Sequence, residues 1–341
     1  MTTPTPTAAR PDAPVRRTSL LARLLAWVDA HPWGILVANL AAQIGIIVTG
    51  GLVRLTGSGL GCSTWPQCEP GSFTPVYHPE TALHSAIEFG NRTLTGVVSI
   101  TALLVAIALW RMRDRAKVLR VLGLAPLTLV AIQAVVGGIT VLVDLHPAIV
   151  GSHMFLSLIL VAVSTYLLAR VGEGDAPGRT VVPAPGRALA LLSGVLAVPM
   201  LALGVVTTGA GPHSGDEEVG YRFALDPALA AKLHGVSVWV YVAAVVALAV
   251  VVVLAVRRAA APDRAELVRA QHALREVAGV IGLQAVVGYV QYFTGLPIVL
   301  VLLHMLGAAL ATAVAVRLVL SVRVRPALAS TTPLAARDDA V

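Results

Sequence analysis

The sequence predicts an all-α polytopic membrane protein whose eight transmembrane helices form two duplicated four-helix bundles. This prediction rests on the composition, on the length of the apolar stretches and on an internal repeat. Apolar residues make up 57% of the 341 positions, charged residues make up 13%, and the mean hydropathy is +0.82. Water would not keep so apolar a chain of this length in solution, so the lipid bilayer is its expected solvent.

Eight apolar stretches are long enough to cross a bilayer as helices. About 20 residues that rise roughly 1.5 Å each span a hydrocarbon core of about 30 Å. No small-residue cleavage site follows a short apolar core near Met1, so we expect no cleaved signal peptide. The expected spans are residues 34–54, 82–110, 118–143, 148–170, 186–209, 228–256, 272–294 and 297–320.

The basic residues indicate the orientation of the chain. Most of the 25 Lys and Arg residues fall in alternate segments, namely the tail before the first span, 111–120, 170–187, 257–275 and 317–337. By the positive-inside rule these segments are cytoplasmic, and both termini lie inside the cell. The net charge of +7 is therefore explained by membrane topology, and we do not expect nucleic-acid binding.

An internal repeat divides the chain into two halves. The segment Gln133–Gly137 recurs as Gln284–Gly288, and His153 with Met154 recurs, at the same displacement, as His304 with Met305. Four helices return the chain to its starting side, so the halves should be parallel repeats related by an axis along the membrane normal. The expected units are a cytoplasmic tail (1–33), a first bundle (34–170), a cytoplasmic linker (171–187), a second bundle (188–320) and a second tail (321–341).

Intramembrane histidines carry most of the functional signal. His153, His234 and His304 lie in or at the edge of apolar spans, and an ionisable group at this depth is a functional candidate because its burial is costly. A hydrogen bond to a neighbouring helix would explain one isolated histidine equally well. The equivalent places of His153 and His304, in the fourth helix of each half, favour a shared role.

A pair of histidines on facing helices can bind a haem iron from both sides. His234, on the second helix of its half, is the expected partner of His304. Zinc fits less well, since no cysteine, third histidine or inward carboxylate accompanies the pair. All these residues lie in the outer part of their spans, so the sites should face the extracytoplasmic side.

The second helix of the first half has a polar stripe. His84, Glu88, Asn91 and Thr95 are spaced four, three and four, which places them on one face of a helix. Glu88 could transfer protons, or it could form a structural ion pair with Arg92 one turn later. The residues alone leave both interpretations open.

From about Trp33 to Leu320 the chain resembles the bacterial and mitochondrial haem A synthases. The resemblance rests on the histidines of helices four, six and eight, on Glu88–Arg92 (EFGNR), and above all on Thr49–Cys68, which reads TGGLVRLTGSGLGCSTWPQC. It implies a membrane oxidoreductase that converts the C8 methyl of haem O, by successive hydroxylations, into the formyl group of haem A. It also implies a role in the assembly of terminal cytochrome oxidase.

The resemblance further implies roles for individual residues. His234 and His304 would hold a haem b cofactor, while His153 would be an axial ligand of the substrate haem. Glu88 would be the catalytic carboxylate, handling protons or stabilising positive charge at the methyl carbon, and Asn91, Arg92 and His84 would assist His153 at the substrate haem. The family usually has a histidine where this chain has Asn91. The substrate haem would then be five-coordinate, or another side chain would complete it, but His84 lies roughly 10 Å further along the helix.

Cys62 and Cys68 are the only cysteines, and they share one loop on the oxidising side, which predicts a disulfide. The disulfide could shape the loop over the first site, or it could serve in redox or partner contact, as is thought for relatives with this pair.

The expected location is the cell membrane, among lipid. The expected partners are haem O synthase (protohaem farnesyltransferase) and the terminal oxidase assembly, and a homo-oligomer is left open. Two rival functions remain at this stage: a diheme cytochrome b that relays electrons, and a transporter of haem or small solutes.

Overall fold

The structure is a computed structural model that describes residues 19–216 and 218–326. Most of this part of the chain is helical. The helices are α1 (Leu20–Ala30), α2 (Pro32–Leu55), α3 (Ala82–Arg111), α4 (Lys117–Leu122), α5 (Ala125–Leu142), α6 (Pro147–Val171), α7 (Ala184–Ala210), α8 (Pro227–Arg258), α9 (Ala261–Phe293) and α10 (Ile298–Ser321). Two short strands, β1 (Arg179–Thr180) and β2 (Arg323–Val324), pair antiparallel.

The prediction of eight transmembrane helices is confirmed. Within the described ranges, eight helical stretches are long and apolar enough to cross a membrane, and α4 with α5 forms the third of them. The protein is therefore a multi-pass membrane protein. Many large apolar side chains on these helices are exposed, as expected for surfaces that face lipid, for example Val195 and Val246.

Two expected boundaries were wrong. The segment taken as a tail contains helix α1, whose Val28 is buried against α3 and whose Asp29 pairs with Arg111. Helix α9 begins at Ala261 instead of residue 272, because its charged first part is helical although it is too polar for the hydrocarbon core. The tail residues 1–18 and 327–341 lie outside the described residues.

The spans pack in two groups. Helices α2, α3, α5 and α6 contact one another along the first group, and α7, α8, α9 and α10 contact one another along the second. Helices α2 and α6 also pack against α10, and α6 packs against α7, so the groups share a long interface. The duplication itself stays a prediction.

The two ends of the molecule differ in their connections. We call the end that carries residues 56–81 the loop end, and the opposite end, with residues 172–183, the linker end. At the linker end the buried guanidinium of Arg115 donates to the carbonyls of Arg170, Val171 and Glu173 and pairs with Asp175. Strands β1 and β2 join the linker to the residues that follow α10.

Candidate functional site

His234 and His304 face each other from α8 and α10 in the second group of helices. Their ring centroids are 6.4 Å apart and the ring planes are perpendicular. A metal at about 2 Å from one nitrogen of each ring would separate the centroids by roughly 6 Å, so this spacing fits two axial imidazoles on one iron. Among the described residues no cluster of three or more His, Cys, Asp or Glu side chains could hold a bare metal ion.

Backbone groups hold both rings in place. The Nδ1 of His234 donates to the carbonyl of Met200, 3.1 Å away, which leaves Nε2 available for a metal. Glycines in the neighbouring helices make room for the rings, because a Cβ on Gly204 would lie 3.1 Å from Cε1 of His234, and one on Gly288 would lie 3.3 Å from Cε1 of His304. The rings therefore pack directly on helix backbone.

His153 in the first group shares two contacts with His304, one with a glutamine and one with a glycine. Gln133 Nε2 donates to the carbonyl of His153 at 3.0 Å, and Gln284 Nε2 donates to that of His304 at 3.0 Å. A Cβ on Gly137 would lie 3.1 Å from Cε1 of His153. Among the described residues, the buried Nδ1 atoms of His153 and His304 have no hydrogen-bond partner. The repeated Gln-Ala-Val-Val-Gly segment thus positions one histidine in each half.

The partner position in the first group holds an amide instead of an imidazole. The hydroxyl of Thr49, on α2, donates to Oδ1 of Asn91 at 2.7 Å. His84 lies further toward the loop end, where its Nδ1 bonds to Ser58 Oγ at 3.0 Å, and Ser58 in turn bonds to Thr56. His84, on α3, therefore helps to hold the loop that follows α2.

Glu88 is buried, with 5% of its surface exposed, and it forms the ion pair with Arg92 that its spacing allows. Its Oε1 accepts hydrogen bonds from Nε and Nη2 of Arg92, and its Oε2 accepts one from the backbone N–H of Cys62. Arg92 also donates to the carbonyls of Cys62, Thr64 and Gln67. Together Glu88 and Arg92 fasten the loop that contains both cysteines to α3.

The predicted disulfide between Cys62 and Cys68 is confirmed, and both cysteines are buried. The loop that they close, residues 62–68, we call the disulfide loop. Its Trp65 ring lies directly against Gly138 on α5, one residue after the glycine that contacts His153. The disulfide loop therefore lies at the loop end of the first group of helices, next to the adjacent pair Gly137 and Gly138, and small residues of this kind allow such close approach.

The sequence model of one protein family, described as cytochrome oxidase assembly proteins (COX15-CtaA), matches residues 33–316. The chain belongs to this family. The resemblance to the haem A synthases that the sequence predicted is thereby confirmed.

Several curated relatives of this chain carry the name "Heme A synthase". One from Lysinibacillus sphaericus is 35% identical over 140 residues, which cover 41% of this chain and 44% of the relative. One from Bacillus licheniformis is 29% identical over 143 residues, or 42% of this chain and 46% of the relative. One from Alkalihalophilus pseudofirmus is 28% identical over 155 residues, or 44% of this chain and 50% of the relative. The chain thus spans about half the length of the curated relatives it matches.

The family match includes every predicted site residue of the chain. The three intramembrane histidines, the Glu88–Arg92 segment and both cysteines fall within residues 33–316. Sequence reasoning missed two residues that the structure brings to these sites. They are Trp65, described above, and Arg54, which crosses from the first group of helices to the second.

Proposed function

We propose that this protein is a haem A synthase, which oxidises the C8 methyl of haem O through successive hydroxylations to a gem-diol that loses water to give the formyl group of haem A. The observation that carries the proposal is the pair His234 and His304, which are half-buried between α8 and α10 with their ring centroids 6.4 Å apart. The family membership and the name of the curated relatives support the same reaction.

The two helix groups have different tasks in this proposal. His234 and His304 would hold haem b, which supplies one-electron redox chemistry when bound. His153 would bind the substrate haem in the first group, where Gln133 bonds to its backbone carbonyl and Gly137 lies against its ring, as Gln284 and Gly288 do at His304. The contact between Trp65 and Gly138 would keep water from the substrate at the loop end.

Glu88 would be the catalytic carboxylate of the first group. Arg92 and the backbone N–H of Cys62 together hold both of its oxygens in fixed positions. A carboxylate held in this way suits either proposed role, the transfer of protons during hydroxylation or the stabilisation of positive charge at the methyl carbon. Arg92 would be a positioning residue, because it acts through Glu88 and the disulfide loop.

The cellular setting follows from the same proposal. The loop end would face the extracytoplasmic side of the cell membrane, and the linker end and both termini would face the cytoplasm. Haem O synthase would supply the substrate within the membrane, and terminal oxidase assembly would consume the product.

A diheme electron relay is the second candidate function. One observation favours it: a glutamine and a glycine make the same two contacts with His153 as with His304. Two similar sites suit two haems with similar roles. The amide at Asn91 argues against this candidate, since a relay would need a second axial ligand in each group.

Product analysis tests the proposal. The protein would be produced in a host that contains haem O synthase but lacks its own haem A synthase, and the extracted haems would be separated by chromatography. We expect haem A with the wild type and with Glu80→Ala, a control at an exposed carboxylate. With Glu88→Ala we expect haem O or a hydroxylated intermediate. Bound haem without any haem A from the wild type would favour the electron relay.

A further inference from the structure

Two arginines lie at the loop end of the second group of helices, and neither has a carboxylate partner among the described residues. Arg54, in the last turn of α2, donates from Nη2 to the carbonyls of Thr208 and His213, at 3.0 and 2.7 Å. Arg222 donates to the carbonyls of Gly211 and Pro212 at 2.7 and 2.5 Å. Both guanidinium groups therefore hold the same short segment, which ends α7 and begins the following loop.

No described acid balances their charges. Among the described residues no carboxylate oxygen lies within 4.0 Å of either guanidinium, although both arginines donate to carbonyls of residues 208–213. The Oδ1 of Asp216, the described acid nearest to this segment in the sequence, accepts a hydrogen bond from the backbone N–H of Glu218. Arg222 is partly exposed, but a second positive charge on the segment that holds the buried Nε of Arg54 is unfavourable unless an anion accompanies it.

Arg54 also has an unused donor. Its Nε is buried, and within the described part of the chain it has no hydrogen-bond partner. A guanidinium presents Nε and Nη in a fork that matches the two oxygens of a carboxylate. The missing partner is therefore best explained by a carboxylate ligand.

The position of Arg54 relates it to His304. Gly51, less than one turn before Arg54 on α2, lies against α10, where its Cβ would be 3.0 Å from Leu302 and 3.0 Å from Met305, on either side of His304. The ring of His213 bonds to the carbonyl of Leu296 at 3.1 Å, just before α10 begins. The arginine pair thus lies beyond His304, toward the loop end.

We infer that Arg54 and Arg222 bind the carboxylate side chains of the haem held by His234 and His304. Haem carries two propionate groups on one edge, so the inferred orientation has that edge toward the loop end. This inference rests on the proposed function, because it requires a haem between the two histidines. It also gives Arg54 a specific task, since an arginine from the first group of helices would then bind the cofactor of the second.

The affinity for a haem ester distinguishes a contact of the two arginines with the haem carboxylates from a merely structural role of these arginines. Full-length protein purified from haem-deficient cells would be titrated with ferric protohaem and with its dimethyl ester, and binding would be followed by Soret absorbance. Because hydrogen bonds to charged groups strengthen binding, we expect the wild type to bind the free acid about tenfold more tightly than the ester. The double variant Arg54→Gln/Arg222→Gln should bind both forms alike.

Controls make each outcome decisive. Arg317→Gln removes an exposed arginine that pairs with Glu276 at 3.0 Å, and it should keep the wild-type preference for the free acid. Equal binding of both forms by the wild type would overturn the inference and leave haem binding intact, and this comparison needs no variant to fold. A preference that survives in the double variant would also overturn it. If the wild type bound neither form, the proposed function would be wrong as well.

Discussion

Glu88 accepts a hydrogen bond from the backbone N–H of Cys62, and the two atoms are 2.6 Å apart. The same carboxylate pairs with Arg92, which donates to three carbonyls of the loop around the disulfide. The proposed catalytic residue is therefore also the anchor of that loop. A loss of activity in Glu88→Ala would combine both effects, so the anchoring role needs a measurement of its own.

We predict that Glu88→Ala makes the disulfide between Cys62 and Cys68 easier to reduce. Both cysteines are buried, and a hydrogen bond to a charged group contributes about 1.5–3 kcal/mol, so its loss should raise the population of opened loop about tenfold or more. The rate of reduction by a membrane-impermeant thiol would be measured for each variant. Glu80→Ala should keep the wild-type rate. Equal rates for Glu88→Ala and the wild type would show that the anchor is unimportant.

We predict that Gly204→Ala and Gly288→Ala lower the haem content of the purified protein. The added methyl groups would press on the rings of His234 and His304, and overpacking of this kind costs about 1–3 kcal/mol, which corresponds to a loss of about fivefold or more. Gly235→Ala and Gly282→Ala are matched controls, since a Cβ at either position meets nothing within 4 Å. Haem content would be measured by absorbance against protein. Equal losses in the controls would contradict the prediction.

We predict that Asn91→His adds a second histidine ligand to the substrate haem that we propose for the first group. Asn91 stands where the resemblance implies a histidine, and its Oδ1 accepts a hydrogen bond from the hydroxyl of Thr49 at 2.7 Å. The absorption and electron paramagnetic resonance spectra should change toward a low-spin, six-coordinate iron. Asn91→Gln keeps the amide and should leave the spectra unchanged. An unchanged spectrum for Asn91→His would place position 91 away from the iron.

We predict a local pH dependence just after the disulfide loop. The backbone N–H of Val76 and then the ring of His78 hold the pKa of Glu69 below its ordinary value of 4.5. The ionised carboxylate therefore stabilises this segment above pH 4.5, and this contribution is lost as the pH falls through the lowered pKa. Hydrogen exchange should show that protection of the Val76 amide declines in that range.

The Gly71 amide provides an internal reference for this experiment. It donates to the side-chain carbonyl of Gln67 at 3.0 Å, which does not titrate, so its protection should not follow the same curve. In Glu69→Gln the Val76 amide should likewise lose its pH dependence. Parallel curves for Val76 and Gly71 would show that Glu69 is not responsible.

The apolar pattern predicted the spans well because lipid-facing and core-facing residues of a membrane helix are both apolar, so each span is a long, uninterrupted signal. The start of α9 was missed because its charged first turns lack this apolar signal. The histidines and the cysteine pair could be selected because polar groups are conspicuous in apolar surroundings. Contacts such as those of Trp65 with Gly138 and of Arg54 with His213 join distant segments, and no local pattern records them.

The pairing of β1 with β2 has a consequence for the order in which the protein is made. Arg179 pairs with Val324 and Thr180 pairs with Arg323, so the linker finds its strand partner only after α10 has left the ribosome. Until then the backbone of β1 has no strand partner. Residues 323 and 324 therefore complete the linker after the last helix has been made. A nascent chain that stalls within α10 should leave the linker sensitive to proteases.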